Sequence, residues 1–583
     1  MDKKTKKKRS NFDYFIQIAQ NPLLMLTLIT VGIITYLLSV QMKIGVPYWD
    51  VFNYLNTATY FAGMGVEGVT DFIYLPPLIP FLTSIIFRMG YVSLNAIFIV
   101  SGVISILGVL GLYLLLKQRF NPIQSFTGSL IFISLPIIMS WATSGGIDIP
   151  GVVFSIWAIY FLVIGVREDP KFLYLVLPVL ILAFLARYTA GLIIIPILLY
   201  CLINLDLIKQ IENIKKVILW IAVEFTVLFT LSMIFLVKLG ILSSIYTLII
   251  GVLTSSSTGV GDVAYNPNVL YYLENLLNYI SISPITGTYQ QILNPSQGTP
   301  SILAYLICLI TVLGLLFYVY QVFSSKVGIK NENNSKTMKS LINIPNLTKT
   351  SLITGLIIAC AASFYFKSFI VSEMILLVTL YILYKFLTRG MVKHHHGLGL
   401  DLMFLSWFCA YLIFQGILPI KVDRYFITMA PALVYFIILG FSGFIKMIEP
   451  KIKYENMRSW GIYIILALVF LSSATATYMG HTPKKTFTVD IGNSCEWIME
   501  NDPNYQDKVI SSDYPNAVTW YLKKEILGGY PRFFNSPDEF ADYLQKNDVD
   551  YYIDSLSNPH PDLNGYRIIK SFGVVVIYQK IVN

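Results

Sequence analysis

The chain has 583 residues, of which 55% are hydrophobic and only 13% charged, and its formal net charge is +9. Its mean hydropathy is +0.65. These values exclude an ordinary soluble protein and indicate a chain that crosses a membrane many times. The basic opening "MDKKTKKKRS" precedes an apolar run from Leu23 to Val40. That run is too long for a signal-peptide core and has no small-residue cleavage site, so it reads as an uncleaved span. The basic tag then reads as a cytoplasmic topology anchor rather than a nucleic-acid arm.

Apolar runs of spanning length follow at 22–42, 94–116, 123–142, 150–166, 172–187, 189–204, 217–238, 301–323, 350–366, 369–387, 400–419, 426–446 and 459–478, thirteen in all. "YLPPLIPFLTSIIFRMGY", Tyr74 to Tyr91, is short and opens with a double proline. If it does not cross, the basic loops around Lys117, Arg167, Lys215, Lys326–Lys339, Lys385–Lys393 and Lys446–Arg458 share a side with the N-terminal tag. The positive-inside rule therefore places Pro76 to Gly90 as a helix along the outer surface. The expected fold is an all-α polytopic membrane domain of about 13 spans, N-in and C-out, followed by a small α/β soluble domain. The parts are a basic cytoplasmic N-terminus (1–21), a membrane domain (22–479) with outer loops at 43–93 and 239–300, and an extracytoplasmic domain (480–583). The expected location is the plasma membrane.

In the first outer loop, "WDVFNYLNTATYFAGMG" reads as an amphipathic helix. Asp50, Asn53, Tyr54 and Thr57 share one face, and Val51, Leu55, Ala58, Thr59 and Ala62 the other. Such a helix is expected to lie flat in the interface, polar stripe towards water or a cavity. Asp50 is near its start, where an aspartate either caps the helix or serves a site. Asp148, just before Pro150 at the next outer turn, poses the same choice.

Arg187 falls between two runs that are each barely long enough to cross, and a buried cation there asks for an anion. Lys421, Asp423 and Arg424 cluster on another outer turn, against the positive-inside bias. A phosphate at the outer interface would supply the reason, with Asp423 orienting Arg424. In the second outer loop, Ser255 to Asn268 is rich in Gly, Ser and Asn and reads as mobile, and Val269 to Ile280 reads as a helix. Asp262, Tyr265 and Tyr272 are candidate substrate contacts there, although an interfacial tyrosine belt explains most of the pattern. "TGVGD" follows no strand and precedes no P-loop lysine, so it is no nucleotide motif.

After about residue 480 the composition becomes that of a soluble domain. "DKVISSD" and "VDYYIDS" read as strands, "PNAVTWYLKKE" and "SPDEFADYLQKND" as helices, and "YRIIKSFG" with "VVVIYQKI" as a hairpin turning at Gly573. Asp513 and Asp554 end the two strands. The five cysteines, Cys201, Cys308, Cys360, Cys409 and Cys495, form no close pair and imply neither a disulfide framework nor a zinc site. "HHH", His394 to His396, reads as a solvated cytoplasmic loop.

"PYWDVFNYL", "YLPPLIPFL", "SGGIDIPGVVFSIWAIYFL", "LARYTAGLIIIPILL" and "VDRYFITMAPAL" occur in an order that resembles the GT-C superfamily of membrane glycosyltransferases. Within it the chain is similar to the protein O-mannosyltransferase and aminoarabinose-transferase group, glycosyltransferase family 39. The resemblance implies transfer of a sugar, a hexosyl group by expectation, from a polyprenyl (dolichyl)-phosphate carrier to a hydroxyl on the outer face, with inversion. It implies Asp50 as the catalytic base. Asp148, Asn53, Tyr54, Asp262 and Tyr265 are then expected on the substrate and acceptor side, and Arg187, Arg424 and Lys421 at the lipid phosphate.

Many relatives carry an adjacent acidic pair in the first loop, whereas Val51 follows Asp50 here. A second acid would come from Glu67, Asp71 or Asp148. The expected partners are the lipid-linked donor, a glycan, lipid or protein acceptor and the bilayer, with no nucleic acid. No cofactor is called for, and a divalent cation is left open. The rival readings are a transporter or flippase of lipid-linked glycans, an oligosaccharide ligase and a non-catalytic sensor. The spans hold few charges apart from Glu224 and Glu373 and show no internal repeat, which speaks against a transporter.

Overall fold

The computed structural model describes residues 21–66, 75–211, 214–238, 266–284, 287–332, 346–388, 396–448 and 457–581. The basic tag, Glu67, Asp71, Asp262, Tyr265, the "TGVGD" stretch, His394 and His395 lie outside the described residues.

Eight helices among the described residues are long and apolar enough to cross a membrane. They are Pro22–Ile44, Leu94–Leu116, Asp148–Arg167, Ile302–Val322, Phe369–Thr388, Gly397–Ile417, Asp423–Ile448 and Trp460–His481. The other expected runs take different forms. The run at 123–142 breaks at Leu135 into Pro122–Ser134 and Pro136–Trp141, because Pro136 has no N–H to continue the ladder. Those at 172–187 and 189–204 each begin with a 3₁₀ turn, leaving α-helices of only 11 and 10 residues. The run at 217–238 lies within the Ile214–Lys238 helix, and that at 350–366 runs one residue past the end of the Asn346–Tyr365 helix. The Leu78–Arg88 helix has 11 residues, about half the length that crosses a bilayer.

Local chemistry sets these starts. Asn21, Ser93 and Asn121 accept hydrogen bonds from the first turns of the helices that follow them, and Pro22 and Pro122 occupy first helical positions. The Ala430–Ile448 helix packs directly on Ile302–Glu332, where Gly314 lies against the backbone of Gly440 and Gly443 and no side chain fits.

The C-terminal domain carries a five-stranded sheet in the order β2-β1-β3-β5-β4. The strands are β1 (Ile510–Ser512), β2 (Leu527–Gly528), β3 (Tyr551–Asp554), β4 (Tyr566–Phe572) and β5 (Val575–Lys580). β1 pairs parallel with β2 and β3, and the β4–β5 hairpin turns through Gly573 at φ 56°. Side chains alternate across the sheet. Tyr551, Ile553, Val575 and Ile577 join the core shared with the membrane domain, while Tyr552, Val576 and Tyr578 pack with the Pro537–Lys546 helix. The Phe487–Asn501 helix and the short strand β2 have no counterpart in the sequence reading.

Backbone bonds tie the domain down. Thr486 donates through N and Oγ1 to Ile44 O at 2.9 and 2.7 Å, and Thr488 Oγ1 donates to Val46 O at 2.9 Å. Gly45 has φ 82°, and a Cβ there would meet Val489 at 2.9 Å, so this junction requires glycine.

Candidate active site

Four charged side chains from four separate segments meet at one place. Asp50 opens the Asp50–Ala62 helix, and Asp148 opens the Asp148–Arg167 helix. Arg187 is the extended residue between the Val176–Ala186 helix and the 3₁₀ turn Tyr188–Ile193. Arg424 lies in the 3₁₀ turn Asp423–Met429. Arg424 Nη2 donates to Asp50 Oδ2 at 2.7 Å, and its Nε lies 4.0 Å from Asp148 Oδ2. Arg187 pairs with Asp148 through Nη1 and donates from Nε to Thr189 Oγ1 at 2.6 Å. Two arginines and two aspartates leave the cluster formally neutral.

Neither aspartate caps its helix. Each is the first helical residue, the preceding residue serves as cap, and neither helix start receives a side-chain capping bond. Their charge still suits the positive helix end. The two carboxylates differ in access: the Asp50 side chain is 31% exposed and that of Asp148 only 3%.

Aromatic rings wall the cations. Arg424 lies over Tyr48 at 4.7 Å and Trp141 at 5.6 Å, and Arg187 over Tyr425 at 4.9 Å. Two glycines make room. A Cβ on Gly151, one turn after Asp148, would sit 2.7 Å from Arg187 Cβ, and one on Gly146 would sit 2.7 Å from the Tyr48 hydroxyl. Arg424 Nε and Nη1 are buried without a hydrogen-bond partner, and so is Asp148 Oδ2. A buried donor without a partner is costly, so these groups mark unspent capacity facing the cluster.

Several expected contacts are arranged differently. Lys421 donates to the carbonyls of Gln415, Gly416 and Leu418, so its ammonium closes the C-terminal end of the His396–Ile417 helix and does not join Arg187 and Arg424. Burial, and then the Lys367 charge, push that ammonium down to about 8.

Asp423 does not orient Arg424. Its carboxylate accepts from the Tyr271 and Tyr279 hydroxyls at 2.6 and 2.8 Å and from Ser296 N at 2.6 Å, tying these three residues together. Tyr271, Tyr272 and Tyr279 therefore point inward rather than forming an interfacial belt. The expected single helix is split at Asn275 into Tyr271–Glu274 and Leu276–Ile280.

The Asp50–Ala62 helix is buried on both faces, with Asn53 4% and Tyr54 1% exposed. The C-terminal domain packs on this helix at Tyr514 and the Pro515–Leu522 helix. Asn56 Nδ2 donates to Asn516 O at 3.0 Å, and Trp49 and Phe52 pack on Tyr514 at 4.4 and 6.0 Å. Asn53 Oδ1 and Asn516 Nδ2 are each buried without a hydrogen-bond partner.

Further out, Asp513 accepts from Ser555 N and Oγ and from Leu556 N, and Asp554 pairs with His560 at 2.7 Å. Burial pushes the Asp513 carboxyl up, to about 7; the Ser555 bonds oppose this and the Asp554 charge adds to it. Among the described residues, no group of three or more His, Cys, Asp or Glu is placed to hold a metal ion.

Residues 75–236 match the family described as dolichyl-phosphate-mannose-protein mannosyltransferase. Asp148 and Arg187 fall inside the matched stretch, and Asp50 and Arg424 outside it. The matched stretch covers less than a third of the chain. No curated protein matches the chain.

Among solved structures, the chain is similar to the Archaeoglobus fulgidus oligosaccharyltransferase AglB in complex with an inhibitory peptide and a dolichol-phosphate. Identity is 14%, the alignment covers 94% of this chain and 70% of that one, and the TM-score is 0.47. It is also similar to ArnT from Cupriavidus metallidurans bound to undecaprenyl phosphate, at 10% identity over 95% of this chain and 98% of that one, with a TM-score of 0.47.

Tyr48, Trp141, Tyr425, Gly146 and Gly151 were missed by sequence reasoning. Tyr48 stands two residues before Asp50, yet aromatic residues make up 14% of the chain and give no contrast.

Proposed function

We propose that this chain is an inverting glycosyltransferase that moves a sugar, by class a hexosyl group, from a polyprenyl-phosphate carrier to a hydroxyl on the outer face of the membrane. One observation carries the reading: two carboxylates and two guanidinium groups converge at helix ends, with donors on Arg424 unspent.

In this reading Arg187 and Arg424 hold the carrier phosphate by paired hydrogen bonds. Because the cluster is neutral, an entering phosphate competes with Asp50 for Arg424. Asp50 is the more exposed carboxylate and is the one displaced. The acceptor oxygen then bonds to the anomeric carbon on the face opposite the phosphate, and its proton passes to Asp50. The bond from that carbon to the phosphate oxygen breaks, and the electron pair leaves on the phosphate, where guanidinium charge stabilises it. Asp148 keeps Arg187 in place throughout.

An apolar cavity of about 500 Å³ supports a lipid-borne donor. It is lined by Leu315, Leu405, Leu433, Phe436 and Ile437 and lies along the helix that follows Arg424. The outer location rests on the basic-loop bias and on the C-terminal domain covering the Asp50 helix.

The test uses the purified chain with radiolabelled polyprenyl-phosphate sugar. Release of polyprenyl phosphate with transfer of label is expected, and Asp50→Asn is expected to cut transfer by about 10²–10⁴-fold with folding intact. Full activity in that variant, or movement of intact donor across vesicles without cleavage, would overturn the reading.

A further inference from the structure

The two arginines of the cluster are held by different means. Arg187 pairs with Asp148, the buried carboxylate, and donates to Thr189 Oγ1 at 2.6 Å. Arg424 makes one side-chain hydrogen bond among the described residues, to Asp50 at 2.7 Å, and its Nε and Nη1 have no partner. In the reaction proposed above, that one bond is the bond a phosphate replaces. A long side chain freed of its only partner regains its rotamers. Something other than a hydrogen bond must therefore keep Arg424 in place during the exchange.

Three rings stand within cation–π distance of that guanidinium, Tyr48 at 4.7 Å, Trp141 at 5.6 Å and Tyr425 at 6.0 Å. Tyr48 and Trp141 also meet edge-on, with ring centroids 4.6 Å apart. Trp141 is fixed in turn. Its Nε1 donates to Leu293 O at 3.1 Å, and the neighbouring Ser140 Oγ donates to Ile292 O at 2.9 Å, which ties the ring to the Tyr289–Leu293 helix. The Tyr48 hydroxyl is seated against Gly146. A cation over a ring is drawn to the ring's quadrupole whichever way its N–H groups point. A hydrogen bond fixes a direction, whereas this attraction fixes a position. A guanidinium held over rings can thus turn its N–H groups from one anionic oxygen to another without leaving its place.

Resting on the glycosyl-transfer reading above, we infer that Tyr48 and Trp141 form an aromatic cradle that keeps Arg424 at the carrier phosphate while Asp50 is exchanged for it. Tyr48 is then a positioning residue, acting through Arg424.

The experiment uses the full chain in nanodiscs. Tyr48→Phe is the reference for a series in which the phenylalanine at position 48 carries one, two or three ring fluorines, and Tyr48→Leu removes the ring. Fluorine draws charge from the ring face, so cation binding weakens stepwise while the ring keeps its shape. Affinity for radiolabelled polyprenyl phosphate is measured beside thermal melting. Affinity is expected to fall with each fluorine, about tenfold in all, the scale of one desolvated cation–π contact, and to be lowest in Tyr48→Leu. The melting temperature is expected to stay level across the fluorinated series, which a merely structural role for the ring would not separate from affinity. A flat affinity series, or affinity that falls only in step with the melting temperature, would overturn the inference. The two readings fail separately. Fluorine-graded affinity without any sugar transfer removes the enzymatic reading and keeps the cradle. Sugar transfer with affinity indifferent to fluorine does the reverse, and a chain that binds no polyprenyl phosphate overturns both.

Discussion

Gly151→Ala is the sharpest test of the cluster, because it adds one methyl group and touches no charge. The added Cβ would fall 2.7 Å from Arg187 Cβ and 3.4 Å from Ala190 Cβ. Carbon atoms settle at about 3.5–4.0 Å, so Arg187 must retreat by about 1 Å. The obstacle is the root of the side chain rather than its flexible tip, so the displacement moves the whole guanidinium relative to Asp148. Misplacing a reacting or binding group by about 1 Å costs about 10²-fold in rate. Overpacking costs about 1–3 kcal/mol of stability. The assay compares kcat/KM for the polyprenyl-phosphate donor with thermal melting in detergent. Gly32→Ala is the control, since nothing lies within 4 Å of a Cβ at Gly32. A Gly151→Ala chain that melts a few degrees lower and keeps native donor kinetics would show that the position of Arg187 does not matter, and the phosphate-binding role would fall.

Lys421→Met is expected to lower the melting temperature and leave donor KM unchanged, because the ammonium serves carbonyls at a helix end. A raised donor KM would return Lys421 to the phosphate site. Asp423→Asn removes a carboxylate that receives three hydrogen bonds and is expected to cost about 1–3 kcal/mol; faster hydrogen exchange at 266–300 checks it. Asp513 gives a pH effect of definite sign. Its raised folded pKa means that the native state keeps a proton the unfolded chain gives up above about pH 4. That contribution to stability is full below about pH 4 and is lost as pH rises through about 7. Melting across that range should fall in the native chain and flatten in Asp513→Asn.

The grouping of Asp50, Asp148, Arg187 and Arg424 was legible from an expected sidedness read in the short basic loops. Once the positive-inside bias put those loops on one face, Asp50, Asp148, Arg187 and Arg424 all fell at the opposite ends of their spans. Which charge pairs with which was not legible. Lys421 and Arg424 look alike in sequence, but only the structure reveals that three carbonyls already hold the lysine. What the Asp50–Ala62 helix packs against was not legible, because Asn516, which accepts from Asn56, lies 460 positions away. Composition marked the membrane domain reliably but not its breaks. Pro136 and the 3₁₀ turns at 170–175 and 188–193 sit inside uniformly apolar stretches where hydropathy has no resolution.

The bonds between Thr486 and Ile44, and between Asn56 and Asn516, join the opening of the chain to its last fifth. A nascent chain emerging from the translocon therefore has its charged centre uncovered until almost the whole polypeptide has been made. A chain ended before Tyr514 leaves Trp49 and Phe52 without their packing partner.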